Sequence, residues 1–268
     1  YDNALLLYAY TEAYAMAGDS LYARISRGIL RYVRDVLTDE QGGFYCGQDA
    51  DSEGVEGKFY TFQKEEIEQI LNGDADEFCN WFGISEQGNF EGKNIPNLIG
   101  NDNYGAGSDR LENLCKKLYD YRITRTSLHT DDKILTSWNG LMIGALAKSY
   151  EVLGDAWCLD AAKNAQAFIE KNLTSEKGRL FIRYREGQAV HDGQLDDYAF
   201  YAFGLLELYE ASFDVKYLHI AAEISEKMLE LFFDEVQGGF YMYAHDRDKL
   251  ISRPKELYDG APVSYTHL

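Results

Sequence analysis

Asp2-Asn3-Ala4-Leu5-Leu6, Trp138-Asn139-Gly140-Leu141-Met142 and Asp197-Tyr198-Ala199-Phe200-Tyr201 open three segments that align without a gap. They run on to Tyr14, Tyr150 and Tyr209, and end at Gly18-Asp19, Gly154-Asp155 and Phe213-Asp214. Each is followed by a second helical stretch. Then comes Gly42-Gly43-Phe44-Tyr45, Gly178-Arg179-Leu180-Phe181 or Gly238-Gly239-Phe240-Tyr241. This recurrence decides the architecture, because a unit too small to bury its own apolar face must stack on copies of itself.

The first element of each repeat is apolar on nearly every side. Ala199-Phe200-Tyr201-Ala202-Phe203-Gly204-Leu205-Leu206 has almost no polar face, so this helix must be surrounded by protein. Its small residues let neighbouring helices approach closely. The second element is amphipathic. Arg24, Arg27 and Arg31 share one side and Ile25, Ile29, Tyr32 and Val33 the other; Ala161, Ala165 and Phe168 point inward while Lys163 and Lys171 point outward. An inner helix, a Gly-Asp turn and an outer helix make an αα-hairpin. Buried inner helices ringed by amphipathic outer ones make an all-α fold, an α/α toroid.

The Gly- and aromatic-rich segments after the outer helices read as short β-hairpins, Gly43-Phe44-Tyr45 and Lys58-Phe59-Tyr60-Thr61-Phe62 among them. In such hairpins every inner-helix start and every aromatic loop faces one side. Helix starts present free N–H groups and partial positive charge there, which suits carboxylates and polar ligands. From Gln63 to Arg125 the repeat is not followed. Helices are expected over 64–72, 75–82 and 109–125, the last burying Leu111, Leu114, Leu118 and Tyr121, with loops from Asn89 to Gly107. This stretch reads as a degenerate hairpin with a long insertion.

Composition bounds the function. The chain of 268 residues is 46% hydrophobic and 14% aromatic, which suits one large globular domain. No apolar run reaches the length of a membrane span. A net charge of −19 argues against binding nucleic acid through its phosphates. Cys46, Cys79, Cys115 and Cys158 are scattered, as reduced thiols of a cytoplasmic protein are, and form neither a zinc motif nor a disulfide framework. No motif demands a cofactor. Both ends read as cut. The chain opens at a helix start, and Pro262 to Leu268 matches a translated sequencing adapter, which leaves residues 1–261 as a partial toroid.

Polar residues gather in three places. Asp49-Ala50-Asp51-Ser52-Glu53-Gly54-Val55-Glu56-Gly57 opens like a calcium loop through Asp49, Asp51 and Glu53, but Tyr60 stands where the bidentate Glu belongs. It reads either as a solvated acidic turn or as a source of acid/base groups, Asp51 and Glu56. Asp132 lies before the Trp138-Asn139 helix start, as an ion-pair partner or a catalytic group. Asp196-Asp197 offers one carboxylate more than a helix N-cap requires, so one is free to point into a central cavity. Tyr45, Phe59, Tyr60, Trp138, Tyr198 and Tyr241 are candidate sugar platforms or filling for the ring centre. His129 and His191 are the better placed histidines, and His219 is a surface residue of an outer helix.

Three motifs stand in order along the chain. The first is Asp49-Ala50-Asp51-Ser52-Glu53-Gly54, continued through Glu56-Gly57 to Phe59-Tyr60. The second is Asp131-Asp132-Lys133-Ile134 with Ser137-Trp138-Asn139-Gly140-Leu141, and the third is Leu195-Asp196-Asp197-Tyr198-Ala199-Phe200. Together they resemble the thioredoxin-domain-containing family of spermatogenesis-associated protein 20. The resemblance implies an upstream thioredoxin-like domain with a cysteine motif, a histidine-rich stretch just before Tyr1, and a six-hairpin glycosidase-type toroid related to N-acylglucosamine 2-epimerases. The expected function is therefore a carbohydrate-active or sugar-binding domain, glycosidase-like or epimerase-like.

The candidate catalytic residues are Asp51, Glu56, Asp132 and Asp197, and the candidate substrate contacts are Tyr60, Trp138, Asn139, Asp196 and Tyr198. Hydrolysis needs two carboxyl groups about 5–9.5 Å apart; epimerisation would look to His129 and His191. The competing expectation is a non-catalytic scaffold partnering the thioredoxin-like domain in redox or quality-control work. An incomplete ring also predicts poor solubility for the isolated fragment.

Overall fold

The computed structural model describes residues 1–246 and 252–255. The expected boundary near Ala261 and the adapter-like tail lie outside them. Nine α-helices occur among the described residues: α1 (Asp2–Ala17), α2 (Ser20–Tyr32), α3 (Lys64–Leu71), α4 (Ala75–Trp81), α5 (Asp109–Arg125), α6 (Thr136–Leu153), α7 (Ala156–Asn172), α8 (Leu195–Ser212) and α9 (Val215–Phe232). They fall into two compact units, one of residues 1–47 with those from 132 onward, the other Gln48–Asp131.

The first unit carries the three repeats as α1/α2, α6/α7 and α8/α9. Each inner helix ends in a left-handed residue: Gly18, Gly154 and Phe213. The aspartate that follows caps the outer helix, with Asp19, Asp155 and Asp214 accepting from the amides of Leu21, Trp157 and Lys216 at 2.9, 3.0 and 3.1 Å. The Gly-Asp turn is thus a C-terminal stop and an N-terminal cap in two residues. The three outer helices also end alike. Single antiparallel bridges, Thr38 to Phe44, Thr174 to Leu180 and Phe233 to Phe240, close the same tight turn. Tyr45 and Tyr241, candidate sugar platforms, spend their hydroxyls inside these turns on Asp39 and Asp234, at 2.7 and 2.8 Å.

Only the middle turn grows into a true hairpin among the described residues, Phe181–Arg185 against Gln188–Asp192. It is extended by Ile134–Leu135 through the pairs Ile134–Tyr184 and Leu135–Arg183. Of the expected strand over 58–62, residues 58–60 are turns and only Phe62 pairs, in a single antiparallel bridge with Asn94. Gly57 has φ 67°, and the amides of Tyr60 and Thr61 fold back onto its carbonyl. Arg125 then holds this backbone in its turned form, donating to the carbonyls of Lys58, Phe59 and Thr61 at 3.0, 3.2 and 2.8 Å.

Inner helices α6 and α8 are buried nearly all round, as expected, and cross at glycines. A Cβ on Gly140 would lie 2.6 Å from the backbone of Phe200, and one on Gly204 2.3 Å from the Gly140 carbonyl oxygen. That approach is closed to any larger residue. Helix α1 differs. Only Ala4, Leu7 and Thr11 are fully buried, and Leu6 and Met16 are exposed. On α2 the buried stripe is Ala23, Ser26 and Leu30, continued by Val33 in the π-helical turn Val33–Leu37 that follows, with Ile25 and Ile29 only half-buried.

The second unit has its own core. Ile67, Leu71, Phe78 and Cys79 from α3 and α4 meet Leu111, Leu114 and Leu118 of α5, with Tyr121 half-buried against them. The bounds expected for α5 are the observed ones, and Ser108 caps it, accepting from the Leu111 amide at 3.3 Å.

Candidate functional site

In the first unit the starts of the inner helices meet. Gln194 caps α8 in a capping box with Asp197 three residues on, so neither Asp196 nor Asp197 is the N-cap that the sequence suggests. One oxygen of Asp197 accepts from the Gln194 amide at 2.9 Å. The other accepts from the Ser137 amide at 3.0 Å, in the first turn of α6. A fully buried carboxylate therefore ties one inner-helix start to the next. Burial, with Asp196 adjacent, pushes its proton affinity up, while the two amides pull it down; the rise dominates.

Asn139 and Tyr198 occupy the same position of the repeat and do the same work with different chemistry. Asn139 exchanges two hydrogen bonds with the backbone of Phe44, at 2.8 and 3.0 Å, and donates to the Leu135 carbonyl. The Tyr198 hydroxyl accepts from the amide of Leu180, at the matching position of the next turn, at 3.1 Å. Each fixes the turn after one outer helix onto the start of the following inner helix. Tyr198 is fully buried and Phe59 nearly so, so neither is an open sugar platform.

Beside the Asp197 bridge stand the residues that remain available. Trp138 is half-buried and meets the Tyr1 ring edge-on at 5.0 Å. Asp196 is also half-buried, and desolvation raises its carboxyl above the ordinary aspartate range. Asp132 forms an ion pair with Arg185 at 2.6 Å. Arg185 in turn lines a cavity of about 260 Å³ with Arg183, Glu186, Gln188 and Val190. Sequence reading does not single out the two arginines, although their alternation in Phe181-Ile182-Arg183-Tyr184-Arg185 marks one strand face. His191 is exposed with φ 60°.

A second polar group on the inner helices also escapes sequence reading. Lys148 approaches Glu151, Glu207 and Glu12 at 3.1, 3.5 and 3.7 Å, and the Tyr8 hydroxyl donates to Glu207 at 3.0 Å. Burial raises the Glu207 carboxyl, and burial together with the glutamate raises the Tyr8 phenol. The gapless alignment contains the signal: Glu12, Lys148 and Glu207 are one repeat position, alternating in charge.

The other candidates belong to the second unit. Asp51 and Glu56 face each other across a two-stranded turn at Glu53-Gly54, both exposed. Glu53 pairs with Lys58 and accepts from Thr126, and Asp49 accepts from the Asp51 amide at 3.1 Å. Among the described residues no three His, Cys, Asp or Glu side chains gather as a metal site. Tyr60 is exposed and stacks edge-on against Phe59 at 5.1 Å. His129 is exposed, and its carbonyl accepts from the Asp49 amide. No helix among the described residues is long and apolar enough to cross a membrane.

No protein-family model matches the chain. Spermatogenesis-associated protein 20 of Homo sapiens is 30% identical over 309 aligned residues, which take in 98% of this chain and 39% of the relative. The protein of the same name from Mus musculus is 31% identical over the same shares. The chain thus spans 39% of the length of these curated relatives, and the resemblance carried by three motifs extends along nearly all of it. Among solved structures, cellobiose 2-epimerase from Spirochaeta thermophila matches with a TM-score of 0.51 over 89% of this chain and 48% of that one, at 11% identity. That likeness concerns the fold, which is the α/α toroid expected from the repeats.

Proposed function

We propose that the starts of α6 and α8 form a sugar-binding rim, and that the whole protein is carbohydrate-active, glycosidase-like or epimerase-like. The observations that carry this reading are a partly open aromatic at the start of α6, Trp138 with Tyr1 against its edge, and a partly open carboxyl of raised proton affinity at the start of α8, Asp196, the two starts being joined by Asp197. An aromatic face takes the apolar side of a pyranose, and a carboxyl of raised proton affinity is better suited to donate a proton to a leaving or ring oxygen. Asp132, already balanced by Arg185, supplies the second carboxylate in the first unit; Asp51 and Glu56 are the candidates in the second. Asp197, Asn139 and Tyr198 act as positioning residues that hold the rim.

One observation favours a scaffold instead. Three of the named site residues commit their polar groups to backbone. In that reading the toroid partners an upstream thioredoxin-like domain in a reducing, cytoplasmic setting. A panel of neutral mono- and oligosaccharides, titrated into the full-length protein by calorimetry with product analysis, separates the two. The enzyme reading expects binding that Trp138→Ala weakens roughly tenfold and turnover that Asp196→Asn abolishes. Absence of binding and turnover across the panel would leave the scaffold.

A further inference from the structure

On α5, two arginines one turn apart make contrasting use of the same surroundings. Arg125 lies over the rings of Phe62 and Tyr121, at 4.8 and 5.8 Å, and directs its guanidinium edge at Glu66 and three backbone carbonyls. Arg122 lies over Phe59, Tyr119 and Tyr60, at 4.5, 5.3 and 5.4 Å. Among the described residues it meets no carboxylate or carbonyl partner; its buried Nε has no acceptor, which is also true of Arg125, so the contrast lies in the terminal nitrogens. Arg110, Lys58 and Lys64 of the same unit all have carboxylates within 3 Å. An uncompensated guanidinium is unexpected in a chain of net charge −19.

We propose that Arg122, Tyr60 and Tyr119 form a binding site for a ring-bearing small molecule that carries an oxyanion. Aromatic contacts cover the faces of the guanidinium, which leaves its in-plane N–H donors for a two-pronged contact with carboxylate or phosphate. Tyr60 and Tyr119 are both exposed, so their rings offer open walls for the body of such a ligand. Burial also pulls the Arg122 guanidinium below its ordinary proton affinity, so a bound anion would relieve a poorly solvated charge. Arg125 shows the same stacked guanidinium with its anion in place. The site lies wholly in the second unit and does not depend on the sugar-binding rim.

Calorimetric titration of the full-length protein with glucuronate, glucose 6-phosphate and glucose tests it. Binding of one or both charged probes, with no binding of glucose at the same concentration, is expected; which probe binds tells carboxylate from phosphate. Arg122→Met should weaken that binding roughly tenfold or more, and Arg122→Lys less, because lysine keeps the charge but loses the planar fork. Because Arg122→Met also removes stacking, Tyr119→Ala at an exposed ring serves as the second variant, with an expected loss of roughly threefold. Failure of both charged probes to bind, equal binding of glucose, or binding unchanged in Arg122→Met and Tyr119→Ala overturns the proposal. Because glucose can also occupy the sugar-binding rim, every titration is run in the Trp138→Ala background, where that rim is weakened, so the two readings fail separately.

Discussion

The two halves of the inner helices are held by opposite means. At their starts, Asp197, Asn139 and Tyr198 are buried and reach backbone amides and carbonyls. Towards their other ends, Glu12, Lys148 and Glu207 reach one another, with Tyr8 and Glu151 alongside. Both sets sit at fixed repeat positions. Backbone anchors fix one geometry, whereas a charge ladder needs only a balance of sign and can rearrange or change protonation. Rigidity at the starts is what a binding rim requires.

The largest effect should come from breaking an anchor. Asp197→Ala strands the amides of Ser137 and Gln194 in a dry site and opens a cavity, and we expect about 3 kcal/mol of lost stability in denaturant titration. Lys148→Met, at the other half, should cost about 1–2 kcal/mol at neutral pH, because Glu207 can take a proton in place of its lost partner. Acidification should shrink that smaller deficit and leave the Asp197→Ala deficit largely in place. Equal losses with equal pH dependence would break the distinction between the halves.

That distinction is only partly legible in the sequence. The Gly-Asp turns, the inner and outer pairing and the extent of α5 follow from local rules of capping and periodicity, which a single chain displays openly. The roles of Asn139 and Tyr198 do not, since an amide and a phenol look unrelated until both are seen docking the same turn. Lys58 to Phe62 reads as a strand because its aromatics alternate; the Arg125 contact that turns its backbone comes from far along the chain. Arg122 gives no local signal, for its distinguishing property is the absence of a partner.

A site carboxylate should weaken the frame that holds it, and this sharpens the contrast from the other side. Asp196 has its carboxyl raised by desolvation and lies beside buried Asp197. A raised carboxyl favours folding below its unfolded value, and that contribution is lost as pH climbs through the folded value. At pH 7, above the unfolded value, this pair of carboxyl groups is therefore a burden. Asp196→Asn, which keeps an oxygen for the Asp197 amide, should raise the melting temperature by roughly 2–4 °C at pH 7. The gain should shrink as pH falls through the raised native values and vanish below about pH 4, the unfolded value. A melting temperature lowered at pH 7 would place Asp196 among the structural anchors.

The smallest effect lies where the third repeat departs from the other two. Gly18 and Gly154 end α1 and α6 in the left-handed conformation, but Phe213 ends α8 there at φ 53°, with 84% of its surface exposed. A side chain in that conformation costs about 1 kcal/mol, and this ring recovers little by burial. Phe213→Gly removes the strain but loosens the unfolded chain, so a net gain of about 0.5 kcal/mol is expected. Gly154→Ala should lose about 1 kcal/mol at the matching position. Opposite signs at these two sites, read from denaturation midpoints, would show that the repeat sets the backbone at all three helix ends even where it no longer sets the residue. A loss in Phe213→Gly would mean that the exposed ring holds a contact worth more than the strain it imposes.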